Sequence, residues 1–306
     1  MLSYFQAAVM GLLQGVTELF PVSSLGHSVI FPTLFGWSNL VKAQANPESF
    51  FLAFLVGLHL ATATALLIFY RKEWVRITLG FFSSLRYRRI QSPDERLAWL
   101  LITATIPTGA LALIFEHFFR TFFSKPLYAA LFLMVNGIVL FVGEALSRRS
   151  AAAKSVGSSP EVLTSPDLTS TEANLTQIKF RDAALMGTFQ TGALLAGISR
   201  SGISLVGGLV CKLNHQDAAR FSFLMATPII LLAGLYKIPS DLLGHNGDGI
   251  RMQILVGSLV AFVAAYFSVS FLDRYFRNKT STPYAIYSLI AGGVAFVWLL
   301  LSRSTF

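Results

Sequence analysis

The feature that most constrains this chain is a long apolar segment, from about Tyr4 to Phe35, that polar residues interrupt near its middle. An apolar stretch of that length would ordinarily form one membrane-spanning helix. Pro21 has no backbone N–H and disfavours helical geometry at the residue before it, so an unbroken helix is not expected. Because lipid cannot satisfy the backbone groups that a break exposes, the break must line a cavity or lie buried in protein. The segment therefore predicts two short helices in a membrane protein, with the carboxylate of Glu18 as a candidate functional group.

The same broken segment occurs a second time in the chain. One constant offset relates Met10 to Met186, Gly11 to Gly187, Gln14 to Gln190, Ser23 to Ser199, Ser24 to Arg200 and Gly26 to Gly202. Repetition of a broken segment with a polar centre is typical of membrane proteins whose two halves meet at a shared site near the bilayer midplane.

The composition also indicates a membrane protein, since 54% of the 306 residues are hydrophobic and only 13% are charged, against about 25% charged in soluble domains. Six further apolar runs are long enough to span a bilayer, at about 50–70, 97–115, 127–146, 221–238, 252–272 and 284–301. Each half then contains one re-entrant segment and three spans. The expected fold is an all-α polytopic membrane protein with an inverted-topology repeat. Its halves, 1–147 and 181–306, are joined by a flexible, cytoplasmic Ser/Thr-rich linker at 148–180.

The net charge of +9 does not indicate a nucleic-acid-binding protein. The basic residues cluster in loops between apolar runs, as the topology of a membrane protein requires. The cation-rich loop at 71–96 is predicted to be cytoplasmic, and the cation-poor connectors at 116–126 and 239–251 are predicted to lie outside. Three spans per half is an odd number, so the second half should be inverted relative to the first. Arg88 is thus expected inside the cell, with Gly244 and Phe306 outside.

Residues on both sides of the first break could carry chemistry. Gln14 and Glu18 share one helical face, and the break lets Ser23, Ser24 and His27 face the same cavity. A serine, a histidine and a carboxylate together suggest an activated nucleophile. His27, about one turn after Ser24, could accept the hydroxyl proton, protonate a leaving phosphate or attack directly. Glu18 could orient His27 or help to hold Mg²⁺ or Ca²⁺.

The second break offers a cation where the first offers a serine. Arg200 is flanked by Ser199, Ser201 and Gly202, and a guanidinium beside small residues suits the cradling of phosphate oxygens. Arg200 is also the cation expected to compensate the buried Glu18. Each of these residues has a structural explanation on its own, but their equivalent positions in a repeat favour a site. His59 lies within a span and is explained by a hydrogen-bonded helix–helix contact as well as by function. Asn136, also within a span, is better explained by helix packing than as a ligand.

Two motifs in this sequence are similar to those of a known family. QGVTELFPVSSLGH and GISRSG resemble the signature motifs of the bacterial undecaprenyl-diphosphatase family, the bacitracin-resistance proteins. TIPTGALALIFE, FSFLMATP and TPYAIY extend the resemblance over nearly the whole chain. The resemblance adds Ser204 to the candidate site, where it keeps the hydroxyl of the threonine usual in the family. Gln14 stands where the family has Glu or Gln, and because it cannot ionise it supplies no second carboxylate. It implies a phosphatase of the bacterial plasma membrane that recycles a cell-wall carrier lipid and contributes to bacitracin tolerance.

The sequence therefore predicts the following sites. The expected catalytic residues are Ser24, His27, Glu18 and Arg200, and the expected phosphate-binding residues are Gln14, Ser23, Ser199, Ser201, Gly202 and Ser204. The substrate is expected to be a prenyl diphosphate lipid that reaches the site from the bilayer, with the site open to the outer, periplasmic face. No organic cofactor is expected, and a homodimer is left open. The alternative is a lipid flippase or transporter on the same repeat, although a carrier does not need the nucleophile-like Ser-Ser-x-Gly-His.

Overall fold

The computed structural model describes residues 2–44, 49–122, 125–155, 175, 178–237 and 248–303. All regular structure in this part of the chain is helical. The first half contains α1 (Tyr4–Thr17), α2 (Ser24–Leu34), α3 (Ser38–Gln44), α4 (Phe50–Phe69), α5 (Arg71–Tyr87), α6 (Pro93–Phe122) and α7 (Pro126–Ser155). The second half contains α8 (Phe180–Gln190), a 3₁₀ turn (Thr191–Leu194), α9 (Arg200–Val210), α10 (His215–Lys237), α11 (Arg251–Tyr275) and α12 (Thr282–Arg303).

Six of these helices are long and apolar enough to cross a membrane, which confirms the number of spans predicted from the sequence. They cover Phe50–Phe69, Pro93–Phe115, Pro126–Arg149, His215–Tyr236, Arg251–Tyr275 and Thr282–Ser302. Since backbone polar groups in lipid must be satisfied within each segment, a helical bundle is the expected solution for such a chain.

Both predicted breaks are present, and serines begin the helices that follow them. Ser23 precedes α2 with a positive φ of 70°, and its hydroxyl accepts the Gly26 N–H at 3.2 Å. Ser199 precedes α9 and accepts the Gly202 N–H at 3.1 Å. Each serine satisfies one of the free N–H groups at a helix start. The two broken segments therefore share their capping chemistry as well as their sequence.

The two broken segments pack against the opposite halves of the chain. Helix α1 packs on α11, α8 packs on α6, and α7 packs along α12. Repeat-related glycines permit the first two contacts, because a Cβ at Gly11 would collide with the carbonyl of Gly257 and a Cβ at Gly187 with the carbonyl of Ala104. Backbones that approach this closely require a residue without a side chain.

The structure differs from the predictions at two junctions. Most of the cation-rich stretch at 71–96, which was predicted to be a loop, forms the helix α5. Its many cations made the stretch resemble a solvent-exposed loop, although one face of the helix is buried. Helix α7 continues to Ser155, past the expected start of the linker at 148, because alanines and other good helix formers follow there. Residues 156–174 and 176–177, the bulk of the predicted linker, lie outside the described residues, as do Gly244 and Phe306.

Candidate active site

Glu18 joins the two broken segments through its carboxylate. It directly follows α1 and is 5% exposed. Its Oε1 accepts a hydrogen bond from Arg200 Nη2 at 2.7 Å, and its Oε2 accepts one from the Ser24 hydroxyl and one from Gln14 Nε2 at 3.0 Å. A buried carboxylate must be paired and hydrogen-bonded to remain charged, and these contacts meet both conditions.

A histidine that the sequence did not assign also faces this carboxylate. His59 Nε2, on α4, lies 3.6 Å from Glu18 Oε2, while His59 Nδ1 lies 2.8 Å from the carbonyl oxygen of Leu55. Because a carbonyl can only accept, Nδ1 carries a proton. A proton on Nε2 as well would give Glu18 a second cationic neighbour besides Arg200. In the sequence, His59 is surrounded by apolar residues, and this pattern does not indicate a contact with Glu18.

The Ser23 side chain joins the two breaks through backbone groups. Its hydroxyl oxygen accepts the N–H of Gly197 at 3.2 Å in addition to the capping bond within α2. Gly26 lies so close to Gly197 that a Cβ on it would be 2.9 Å from the Gly197 Cα. On the repeat-related side, a Cβ on Gly202 would be 3.1 Å from the Cβ of Pro21. The two breaks are thus in direct contact, which explains the small residues at these positions.

Ser199 and Ser201 also contribute to this junction. Their hydroxyls donate to the carbonyl of Phe20 at 3.4 and 3.2 Å. Asn136 of α7 accepts the Ser199 N–H at 2.9 Å and donates to the carbonyl of Pro21, also at 2.9 Å. The Asn136 side chain therefore binds the backbone of both breaks. From the sequence, Asn136 was expected only to contribute to helix packing.

The described contacts of His27 differ from those expected of a partner for Ser24. His27 Nδ1 lies 2.7 Å from the carbonyl of Ser23, so this nitrogen carries the proton. His27 Nε2 then accepts from the Tyr287 hydroxyl at 2.8 Å, and the two rings are stacked. The Ser24 hydroxyl donates a hydrogen bond to Glu18, so its hydrogen-bond acceptor in this structure is the carboxylate and not the imidazole of His27.

Ser204 lies deeper in the second segment than the other predicted residues. Its hydroxyl is 3.4 Å from Gln190 Oε1, and Gln190 Nε2 donates to the Thr108 hydroxyl at 3.2 Å. Ser204, Gln190 and Thr108 are all buried. This contact joins α8 and α9 to α6 and supports the position of Arg200 at the start of α9.

Two buried polar atoms at the site have no hydrogen-bond partner in the part of the chain that the structure describes. Arg200 Nη1 is a donor without an acceptor, and Gln14 Oε1 is an acceptor without a donor. A buried unpaired polar group is costly unless a ligand uses it. The free guanidinium nitrogen is suited to an anion, and the amide oxygen is suited to a donor or a hard cation.

The donor set bears on the predicted metal ion. Among the described residues, no group of three His, Cys, Asp or Glu side chains could hold a metal. Glu18 and Gln14 Oε1 would supply two oxygen ligands, and Mg²⁺ or Ca²⁺ needs about six. The residues present therefore fit such an ion only if the remaining ligands come from substrate and water.

A family model described as bacitracin resistance protein BacA matches residues 7–294 of this chain. Two proteins named undecaprenyl-diphosphatase, from Mycolicibacterium paratuberculosis and Mycobacterium avium, are each 53% identical to it over 98% of both chains. Undecaprenyl-diphosphatase 2 of Frankia alni is 49% identical over 97% of this chain and 98% of its own.

Proposed function

This chain belongs to the bacitracin resistance protein BacA family, and from that premise we propose that it is a membrane phosphatase that converts undecaprenyl diphosphate to undecaprenyl phosphate and inorganic phosphate. Relatives that match over almost their full length bear the name of this activity. The observation that carries the proposal is the Glu18 carboxylate, which binds the Ser24 hydroxyl and the Arg200 guanidinium at the same time. None of the relatives named above bears the name of a lipid carrier, which was the alternative.

In the proposed first step, the Ser24 oxygen attacks the terminal phosphorus. The bond from that phosphorus to the bridging oxygen breaks, and undecaprenyl phosphate leaves with the electron pair. The Ser24 proton passes to Glu18 Oε2, to which the hydroxyl is already hydrogen-bonded. Arg200 binds the terminal phosphate oxygens through Nη1, which has no partner among the described residues, while Nη2 stays on Glu18.

The second step releases the phosphate. Water attacks the phosphoserine, the phosphorus–Oγ bond breaks, and Ser24 Oγ recovers its proton from Glu18. Both hydrogens of the water leave on the phosphate as dihydrogen phosphate, which then equilibrates with solvent. The carboxylate and serine return to their starting states, so one water is consumed per turnover.

We keep Ser24 as the proposed nucleophile in preference to His27. The support is geometric, since Ser24 contacts a base directly while both ring nitrogens of His27 are engaged by Ser23 and Tyr287. His27 lies about one turn beyond Ser24 on α2, where it can contact the diphosphate as it enters.

A divalent cation remains part of the proposal. Glu18 and Gln14 Oε1 are the residues that would hold it, as Mg²⁺ or Ca²⁺. When bound, it would neutralise part of the negative charge of the diphosphate.

We also propose that the two halves form an inverted repeat whose broken segments are re-entrant. The contacts support a two-fold relation, because Gly11 meets α11 as Gly187 meets α6, and Gly26 meets Gly197 as Gly202 meets Pro21. An odd number of spans per half makes such a repeat inverted. We assign the protein to the bacterial plasma membrane, with Arg88 in the cytoplasm and the site open to the periplasmic face.

The activity can be tested with the purified full-length chain in detergent. Addition of undecaprenyl diphosphate should release inorganic phosphate at a rate proportional to enzyme, and a Glu18→Gln variant of normal thermal stability should release little. If the wild-type chain releases no phosphate but moves the labelled lipid between leaflets of vesicles, the protein is a carrier and the phosphatase proposal is wrong.

A further inference from the structure

Helix α5 presents an apolar stripe to the outside of the protein. Val75, Leu79 and Phe82 follow one another at helical spacing and are 58%, 65% and 62% exposed. Residues at i, i+4 and i+7 lie on one face of a helix, so these three form a continuous surface. Leu85, 48% exposed, extends it along one edge.

The opposite face of α5 is fixed to the protein. Ile77, Gly80 and Ser84 are buried. The indole N–H of Trp99 donates to the Ser84 hydroxyl at 2.9 Å, and the Ser83 hydroxyl donates to Glu95 at 2.9 Å. The outward direction of the apolar stripe is therefore set by packing and is not a result of free rotation of the helix.

These contacts show that α5 lies across one end of the bundle. Glu95 and Trp99 are in the first turns of α6, and Glu73 of α5 pairs with Arg220, near the start of α10, at 2.9 Å. Helix α4 ends at Phe69, and only Tyr70 separates it from the start of α5. An element that joins the end of one span to the starts of two others lies where the spans leave the hydrocarbon.

Cations lie at both ends of the apolar stripe. Arg71 and Lys72 precede it, and Arg86, Arg88 and Arg89 follow it; all five are exposed. An apolar stripe between cations is the pattern of helices that lie in the plane of a membrane surface and bind anionic lipids.

We propose that α5 is an interfacial anchor. Its stripe of Val75, Leu79 and Phe82 inserts at the boundary between headgroups and acyl chains, and the flanking cations bind the headgroups of anionic phospholipids. The anchor fixes the starts of α6 and α10 at the membrane surface. This inference does not depend on the phosphatase activity, since it rests on surface chemistry away from Glu18.

The depth of the stripe can be measured by spin labelling. Full-length Leu79→Cys, on a Cys211→Ser background, would carry a nitroxide in vesicles of phosphatidylcholine and phosphatidylglycerol, and Arg89→Cys would be the matched position outside the stripe. The Leu79 label should collide with oxygen and be shielded from a water-soluble nickel chelate, at a depth of about 5–10 Å, whereas the Arg89 label should meet the chelate. Equal exposure of both labels to the chelate, or shielding of the Leu79 label from both reagents as under a protein partner, would overturn the proposal.

The lipid preference can be measured with spin-labelled lipids. The wild-type chain should select phosphatidylglycerol over phosphatidylcholine several-fold. Raising the salt from about 0.1 M to about 0.5 M should weaken the selection, because the screening length becomes roughly twofold shorter. The Lys72→Gln, Arg86→Gln, Arg89→Gln triple variant should lose most of it. The matched triple variant Arg148→Gln, Arg149→Gln, Lys179→Gln removes three exposed cations elsewhere and should keep most of it. Absence of selection in the wild type, or equal loss in both triple variants, would refute specific binding at α5.

Discussion

Glu18 and Arg200, 182 positions apart in the chain, are joined by a hydrogen bond of 2.7 Å between their charged groups. Each belongs to a different copy of the repeated segment, so neither copy can form the pair alone. The same carboxylate receives the Ser24 hydroxyl and faces His59. The chemistry of the site can therefore be tested through the neighbours of this one side chain.

Arg200→Lys should lower kcat/KM by about 10²–10³-fold, comparable with the loss of one charge-stabilising donor. Lysine keeps the charge but cannot bind Glu18 and a phosphate oxygen through two fixed nitrogens. Phosphate release at varied substrate concentration measures the loss. Arg220→Lys, at the ion pair with Glu73 outside the site, is the matched control and should keep most activity. Near-normal turnover of Arg200→Lys would show that Arg200 provides only diffuse charge.

Ser24→Ala should abolish turnover and the covalent intermediate, because the attacking oxygen is removed. Acid-quenched mixtures with labelled substrate should contain phosphoserine at position 24. Ser28→Ala, one turn along the same helix, is the control and should retain the intermediate. Acid-labile phosphohistidine at His27 with an active Ser24→Ala variant would reverse the assignment. An active Ser24→Ala variant without any phosphorylated residue would indicate direct attack by water.

His59→Gln should keep most activity, whereas His59→Leu should lose at least about tenfold, the equivalent of roughly 1.4 kcal/mol of barrier. Glutamine can still donate an N–H toward Glu18, but leucine leaves a buried carboxylate with one fewer polar neighbour. Steady-state kinetics separates the two variants, and equal melting temperatures exclude a loss of folding. Equal activity of both would mean that His59 does not position Glu18.

Gly26→Ala should destabilise the protein by about 1–3 kcal/mol, the usual cost of overpacking. The new methyl group would lie 2.9 Å from the Cα of Gly197, and backbone on both sides leaves little room to adjust. Gly109→Ala is the control, because it lies in α6 with open space around a Cβ and should be neutral or slightly stabilising. Thermal unfolding in detergent compares the two, and equal melting temperatures would contradict the close contact of the breaks.

Arg88→Cys should be protected from an impermeant maleimide in intact cells, while Gly244→Cys should be labelled. Both variants need a Cys211→Ser background, although the native thiol should itself react slowly. Burial, with a smaller contribution from the charge of Asp182, raises the pKa of the Cys211 thiol to about 11, so little thiolate is present near neutral pH. Labelling of position 88 from outside would overturn the proposed orientation.

Local chemistry explains which features could be predicted from the sequence. Pro21 identified the first break, because proline restricts the backbone wherever it occurs. The constant offset between Gln14 and Gln190 identified the second break, because a repeat can be recognised from the sequence alone. The apolar runs gave the six spans for the same reason. Arg200 could be named as the partner of Glu18 because few cations lie at comparable positions.

Other parts of the site depend on packing that no local pattern records. Asn136 and Tyr287 reach the breaks from α7 and α12, and His59 reaches Glu18 from α4. Asn136 and His59 have the sequence surroundings of ordinary polar residues in spans, and the TPYAIY segment that ends at Tyr287 does not show that its hydroxyl reaches His27. The ring orientation of His27 was also not predictable, since its Nε2 partner comes from the last described helix of the chain.

The two copies of the broken segment carry different functional groups at equivalent positions. Where the first copy has Glu18 and Ser24, the second has Leu194 and Arg200. A chain with two first copies would bring two carboxylates together without a cation, and one with two second copies would have two arginines and no base. If the proposed inverted repeat is correct, its two halves are thus not interchangeable, and the protein has one active site and not two.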